Sequence, residues 1–99
     1  MNGENMGRLI VNMRYANGAA PVKEGKAVLR KGGKIIGEYT GGEDGKISVA
    51  LLEEGEYSLI CSADGFFDST EYTLPVMGRI TTLQNVELFP KKAETGGSI

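Results

Sequence analysis

The feature that most constrains the fold of this 99-residue chain is an alternation of apolar and polar side chains. From Arg8 to Tyr15 the apolar residues Leu9, Val11, Met13 and Tyr15 take every second position. Arg8, Asn12 and Arg14 fall between them, with Ile10 as the exception on the polar face. A strand turns successive side chains to opposite faces, so this pattern describes a half-buried strand. A helix would need a repeat of about 3.6 residues.

The alternation recurs along the chain, broken each time by residues suited to turns. Asn17-Gly18 ends the first run, and Pro21, which lacks a backbone donor, marks an irregular stretch in which Val22 is expected to anchor in the core. The runs Lys26–Lys31 and Lys34–Thr40 flank Gly32-Gly33, a tight-hairpin signal. Asp44-Gly45 then leads into Lys46–Leu52, where Ile47, Val49 and Leu51 are read as the inward row. Glu53-Glu54-Gly55 precedes the row Tyr57, Leu59, Cys61 and Ala63. Asp64-Gly65 closes that strand, and Thr70–Val76 follows with Tyr72, Leu74 and Val76 on one face. Pro75 places that strand at a sheet edge or its end. In the last run, Arg79–Phe89, the apolar phase slips between Leu83 and Val86, which predicts a bulge near Gln84-Asn85. Pro90 stops it.

Seven short strands without a helical repeat predict an all-β fold, a seven-stranded antiparallel Greek-key β-sandwich, with a closed barrel as the structural alternative. The expected organisation is a flexible leader over residues 1–7, one domain over 8–90, and a tail or linker over 91–99. The chain length suits one domain with one core.

Composition narrows the functional classes. The 11 basic and 13 acidic residues are interspersed, and the densest basic stretch, Lys23 to Lys34, is diluted by Glu24 and glycines. That argues against a phosphate-tracking surface and so against nucleic acid. No run approaches the ~20 apolar residues of a membrane span. Histidine is absent, which removes the commonest neutral-pH general base and the commonest metal ligand. Cys61 stands alone, in an apolar inward row, and reads as a small hydrophobe rather than a nucleophile. The acidic residues at turns, among them Glu43, Asp44, Glu53, Glu54, Asp64 and Asp68, are read as solvated, since calcium needs six or more oxygens converging on one point.

Three segments carry a family resemblance: GRLIVNMRYANGAAPVKEGKAVL, YTGGEDGKISVALLEEGEYSLICSADGF and ITTLQNVELFP. In this order the chain resembles the carboxypeptidase regulatory-like domain, one of the transthyretin-like or prealbumin-like sandwiches, over about residues 7 to 90. The centre of the likeness is Asp44-Gly45, then Gly55 and Tyr57, then Gly65 and Phe66. Each has a physical rationale: Asp44-Gly45 supplies a reversal that suits strand twist, Gly55 a sharp turn, Tyr57 a hydroxyl able to bond backbone as in a tyrosine corner, and Gly65 a positive-φ exit. The resemblance is informative about fold and weak about function, because such domains are appended to many proteins.

Two chemistries found among similar sandwiches lack their residues here. Hydrolases of 5-hydroxyisourate rely on histidines and a C-terminal Tyr-Arg-Gly-Ser, whereas this chain has no His and ends Gly-Gly-Ser-Ile. The Cna B-type modules join a buried Lys to an Asn beside a carboxylic acid. At the corresponding positions this chain offers Val11 and Met13 for the Lys, and Cys61 for the acid. Leu74-Pro75-Val76-Met77-Gly78 resembles a sortase signal only superficially, with Met77 in place of the attacked Thr.

The remaining candidates are surface residues. Phe66 and Phe67 cannot both face inward if their segment is extended, whereas a loop folded over an open end of the sandwich would bury both. With Tyr72 they are the candidate binding residues, and Phe89 is a further exposed candidate. The expected role is a non-catalytic accessory module that mediates protein contacts or spaces domains in a cell-surface, secreted or phage structural protein. The alternative is a glycan- or other ligand-binding module of a secreted enzyme. The expected partners are other domains of a larger protein or a separate protein, with no metal and no cofactor. The expected location is extracellular or cell-surface if the segment comes from a longer chain, and cytoplasmic if Met1 is the native start.

Overall fold

The computed structural model describes residues 6–16 and 20–91. The Asn17-Gly18 turn, most of the expected leader and all but Lys91 of the expected tail lie outside the described residues. The strands are β1 (Met6–Tyr15), β2 (Lys26–Lys31), β3 (Lys34–Thr40), β4 (Lys46–Glu53), β5 (Gly55–Ser62), β6 (Tyr72–Val76) and β7 (Thr81–Leu88). They form two sheets, ordered β4-β1-β7 and β3-β2-β5-β6, so the molecule is an open sandwich and not a closed barrel. Met6 and Gly7, read as leader from the sequence, already belong to β1.

The inward rows meet as the alternation predicts. Leu9, Val11 and Met13 of β1 face Ala27, Leu29, Leu59 and Cys61 of the other sheet, and Val22 closes the core between β1 and β2. Among the described residues no polar or charged residue is buried. Each fully buried Val or Leu contributes roughly 1.5–3 kcal/mol relative to exposure, so this dry layer is the main source of stability.

Two glycine turns set the register. Gly32 and Gly33 have φ of 62° and 83°, the geometry of a two-residue hairpin whose twist matches its strands. Gly45, at φ 76°, donates to the carbonyl of Gly42, and the Asp44 carboxylate accepts from the Lys46 amide. The Gly45 carbonyl in turn accepts from the Met13 amide at 2.8 Å, pinning the turn to β1.

The structure corrects three expectations. First, β1 and β7 run parallel, in unbroken register from Arg8↔Thr81 to Tyr15↔Leu88. A parallel pair needs a long crossover, and here the entire second sheet intervenes between the two strands. Second, that unbroken register leaves no bulge at Gln84-Asn85. The inward row is Thr82, Gln84, Val86 and Leu88, and Leu83 points outward. The polar end of the row lies toward β6, where the Thr82 hydroxyl donates to the Pro75 carbonyl. Third, β4 carries a bulge. Gly7 pairs with Leu52 and Leu9 with Val49, so Ala50 and Leu51 together face Arg8. Leu52 is thereby the buried residue, and Leu51 is 72% exposed at φ 60°.

Candidate functional site

The corner that holds Phe66 and Phe67 is built from the exit of β5 and the end of β7. Gly65, at φ 84°, lets the Phe66 amide donate back to the Ala63 carbonyl. Phe66 then bridges Pro90, the Phe67 amide donates to the Phe89 carbonyl at 2.9 Å, and the Lys91 amide donates to the Gly65 carbonyl at 2.8 Å. The segment after β5 is therefore zipped to the segment after β7. Ser69 anchors its far side, donating its amide to the Cys61 carbonyl and accepting the Cys61 amide on its hydroxyl.

The two phenylalanines separate as neighbours in an extended segment must. Phe66 is half-buried and packs edge-to-face on Tyr15, with ring centroids 5.0 Å apart. Phe67 is 55% exposed, and Phe89, across the same backbone pairing, is 61% exposed. Tyr72 does not join them. It sits in β6 opposite Leu59 and packs against the core from its own row.

Beside this corner lies a cleft of about 520 Å³, lined by Phe66, by Lys23, Lys26 and Lys91, and by Glu24, Asp64 and Asp68. The mixture of signs favours neither a bare anion nor a bare cation. Among the described residues no group of three or more carboxylates, thiols or imidazoles is placed to hold a metal ion. The Cys61 thiol is fully buried, and burial pushes its pKa up to about 12, away from the reactive thiolate. Val11, Met13 and Cys61, at the positions where a crosslinking Lys and its acid would stand, are all buried and apolar.

Gly55 and Tyr57, two residues of the family resemblance, shape the opposite end. Gly55, at φ 151°, turns the chain into β5, and the Tyr57 hydroxyl donates to the Glu53 carbonyl at 2.7 Å. Lys31 lies over the Tyr57 ring, 5.3 Å from its centroid, and donates to the Glu54 carbonyl. The Glu54 carboxylate accepts from the Gly78 amide at 2.8 Å, tying this turn to the one between β6 and β7.

A second corner at that end escaped the sequence reading. Leu51 and Ile80 are exposed apolar residues, and they flank a smaller cleft with Arg8 and Arg79. The adjacent pair Leu51-Leu52 was its one sequence signal, since two neighbouring leucines cannot share one face of a regular strand.

No protein-family model matches the chain, and no curated protein sequence matches it. Solved structures do. The Bacillus anthracis TIE protein superposes with a TM-score of 0.76 at 15% identity, over 87% of this chain and 17% of that one. The minor pilin GBS52 of Streptococcus agalactiae gives 0.71 at 16% identity, over 96% of this chain and 49% of that one. A DUF3823 family protein from Parabacteroides merdae gives 0.60 at 23% identity, over 86% of this chain and 46% of that one. The chain thus spans about half or less of each of these proteins. At such identities the likeness establishes the fold: this chain is an all-β, prealbumin-like sandwich similar to those in pilins and in DUF3823 proteins.

Proposed function

We propose that this chain is a non-catalytic accessory module of a bacterial cell-surface or secreted protein, of the carboxypeptidase regulatory-like kind, and that it works by presenting a rigid contact surface. The observation that carries the reading is the pairing of exposed Phe67 with exposed Phe89 on a segment locked in place by Phe66 against Tyr15. Aromatic side chains held out by a rigid frame are the usual anchors of protein interfaces, because they offer area at little entropic cost. The likeness to the minor pilin GBS52 supports the same setting. Met6 to Leu88, the span of the strands, forms the module's body.

The test is capture of a partner from the native host by the wild-type chain and by a Phe67→Ser/Phe89→Ser double variant, with thermal melts as a control for folding. Capture should fall at least several-fold. Undiminished capture by a folded double variant sinks the assignment.

The cleft beside Phe66 supports a second reading, a ligand-binding module. Its volume of about 520 Å³ is within the usual range of small-molecule sites. The paired charges of its lining suit a polar neutral ligand such as a sugar. A glycan array probed with the wild-type chain and with Asp68→Ala tests it, and the absence of any glycan signal that this substitution removes discards it.

A further inference from the structure

Among the described residues, two of the three non-glycine residues with positive φ line one small cleft, at the far end of β1 from Phe66. Leu51 has φ 60° and Arg79 has φ 66°. Both occupy positions where glycine is the unstrained choice, the extra residue of a bulge and the third residue of the Met77–Ile80 turn. This chain uses glycine for positive φ at Gly32, Gly33, Gly45 and Gly65. At residues 51 and 79 it retains side chains at the expense of backbone strain, and both side chains border the same cleft. Strain held in place by the surrounding structure is a mark of functional sites.

The cleft is pre-organised. The Arg79 amide donates to the Met6 carbonyl at 2.9 Å, and the Arg8 amide donates to the Ile80 carbonyl at 3.1 Å, so the start of β1 is stitched to the turn before β7. Gly7 belongs to this seam, since a Cβ there would lie 2.7 Å from Val76. The cleft measures about 250 Å³, below the usual ~300 Å³ of a site for a whole drug-sized ligand, and so suits a single anchoring residue. Among the described residues its lining includes two arginines and no acidic residue, with Leu51 and Ile80 presenting apolar surface beside Arg8.

We propose that this cleft docks a protein segment that presents a carboxylate next to an aliphatic side chain. The aliphatic group lies against Leu51 and Ile80, and the carboxylate accepts from the guanidinium of Arg8. Arginine pairs with carboxylate through parallel N–H donors, which fixes orientation as well as charge. This deepens the reading of the chain as a protein-contact module and depends on it. The site is separate from the Phe67 corner: Arg8 and Tyr15 lie near opposite ends of one strand, about 23 Å apart at ~3.3 Å per residue.

The test is selection of a phage-displayed random peptide library on the full chain, repeated on Arg8→Glu, Leu51→Gly and Phe67→Ser. Leu51→Gly removes the anchor while relieving backbone strain, so a loss there is not a loss of fold. The expected result is enrichment of peptides with Asp or Glu next to Leu, Ile or Val, weakened roughly tenfold or more by Arg8→Glu and by Leu51→Gly and unchanged by Phe67→Ser. No enrichment, enrichment of basic peptides, or enrichment that survives both cleft variants overturns the proposal. Self-association of the chain that Leu51→Gly abolishes would assign the face to a second copy and also overturn it. Loss of cleft binding with intact Phe67-dependent capture leaves the module reading standing, so the two failures are distinguishable.

Discussion

The hydroxyl of Tyr57 closes the turn from β4 to β5 by donating to the backbone carbonyl of Glu53, four residues earlier, at 2.7 Å. The ring is buried in the core while its tip reaches the turn, so one side chain couples packing to turn geometry. Removing only the hydroxyl, in Tyr57→Phe, should lower unfolding free energy by about 1 kcal/mol, the net worth of one such bond. Tyr57→Ala should cost about 3–5 kcal/mol, because it also empties the core beneath Lys31. Urea unfolding measures both. Equal stability of Tyr57→Phe and wild type would show that the bond contributes nothing.

Cys61 predicts a pH dependence. Its thiol pKa is pushed from an ordinary 9.0 to about 12 by burial, so the folded state holds the proton after the unfolded state has released it. The associated stability is fully present below about pH 9 and is lost as pH rises toward about 12. Tyr57, raised above 10.0 chiefly by burial, adds a loss of the same sign above that pH. Urea midpoints followed from pH 8 to 11 should fall more steeply for wild type than for Cys61→Ala, roughly from the ordinary thiol pKa upward. Parallel curves would contradict the burial of this thiol.

Gly45 and Gly32 both have positive φ and differ in surroundings. A Cβ on Gly45 would lie 2.5 Å from the Met13 carbonyl oxygen, whereas one on Gly32 meets nothing within 4 Å. Gly32→Ala should cost about 1–2 kcal/mol, the backbone penalty alone. Gly45→Ala should cost more than about 3 kcal/mol, since β1 must also move and surrender the 2.8 Å bond from the Met13 amide. Thermal denaturation of the two variants decides it, and similar losses would refute the close approach.

Much of this architecture was legible in the chain itself. Leu9, Val11 and Met13 reveal their face because period two is a local property of any strand. Gly32-Gly33 reveals its hairpin because two adjacent positive-φ residues have few other uses. The parallel pairing of β1 with β7 was not legible, because it joins the first and last strands and no local signal records a partner. Leu83 misled for a related reason. An apolar residue on the outer face looked like a phase slip, while the true inward residue, Gln84, is polar because it lies at the rim. The split between Phe66 and Phe67 follows from strand geometry once their segment is extended, but which of the two turns inward depends on Tyr15, and the packing of Tyr72 against the core depends on its pairing with Leu59.

Phe66 and Phe67 should therefore respond oppositely to substitution. Phe66→Ala removes a half-buried ring with its edge-to-face contact to Tyr15, at a cost of about 2 kcal/mol. Phe67→Ala should change stability by less than about 0.5 kcal/mol, as expected of an exposed side chain. If both were equally destabilising in a thermal melt, Phe67 would be part of the core and unfit as a contact residue.

Leu51 and Leu52 are adjacent, chemically identical and placed in opposite environments by the bulge opposite Arg8. Leu52 is 5% exposed and Leu51 72% exposed. Leu52→Ala should cost about 2–4 kcal/mol through the cavity it leaves. Leu51→Gly removes an exposed side chain at φ 60°. The relief of left-handed strain, about 1–2 kcal/mol, is offset by about 0.5–1 kcal/mol from the greater freedom of glycine in the unfolded chain. The variant should therefore equal the wild type or exceed it by up to about 1.5 kcal/mol. A regular β4 would reverse the order, burying Leu51 in phase with Ile47 and Val49, and Leu51→Gly would then destabilise the fold by about 3 kcal/mol or more. The sign of that one measurement distinguishes a bulge that holds a leucine out at the Arg8–Arg79 cleft from a strand that alternates to its end.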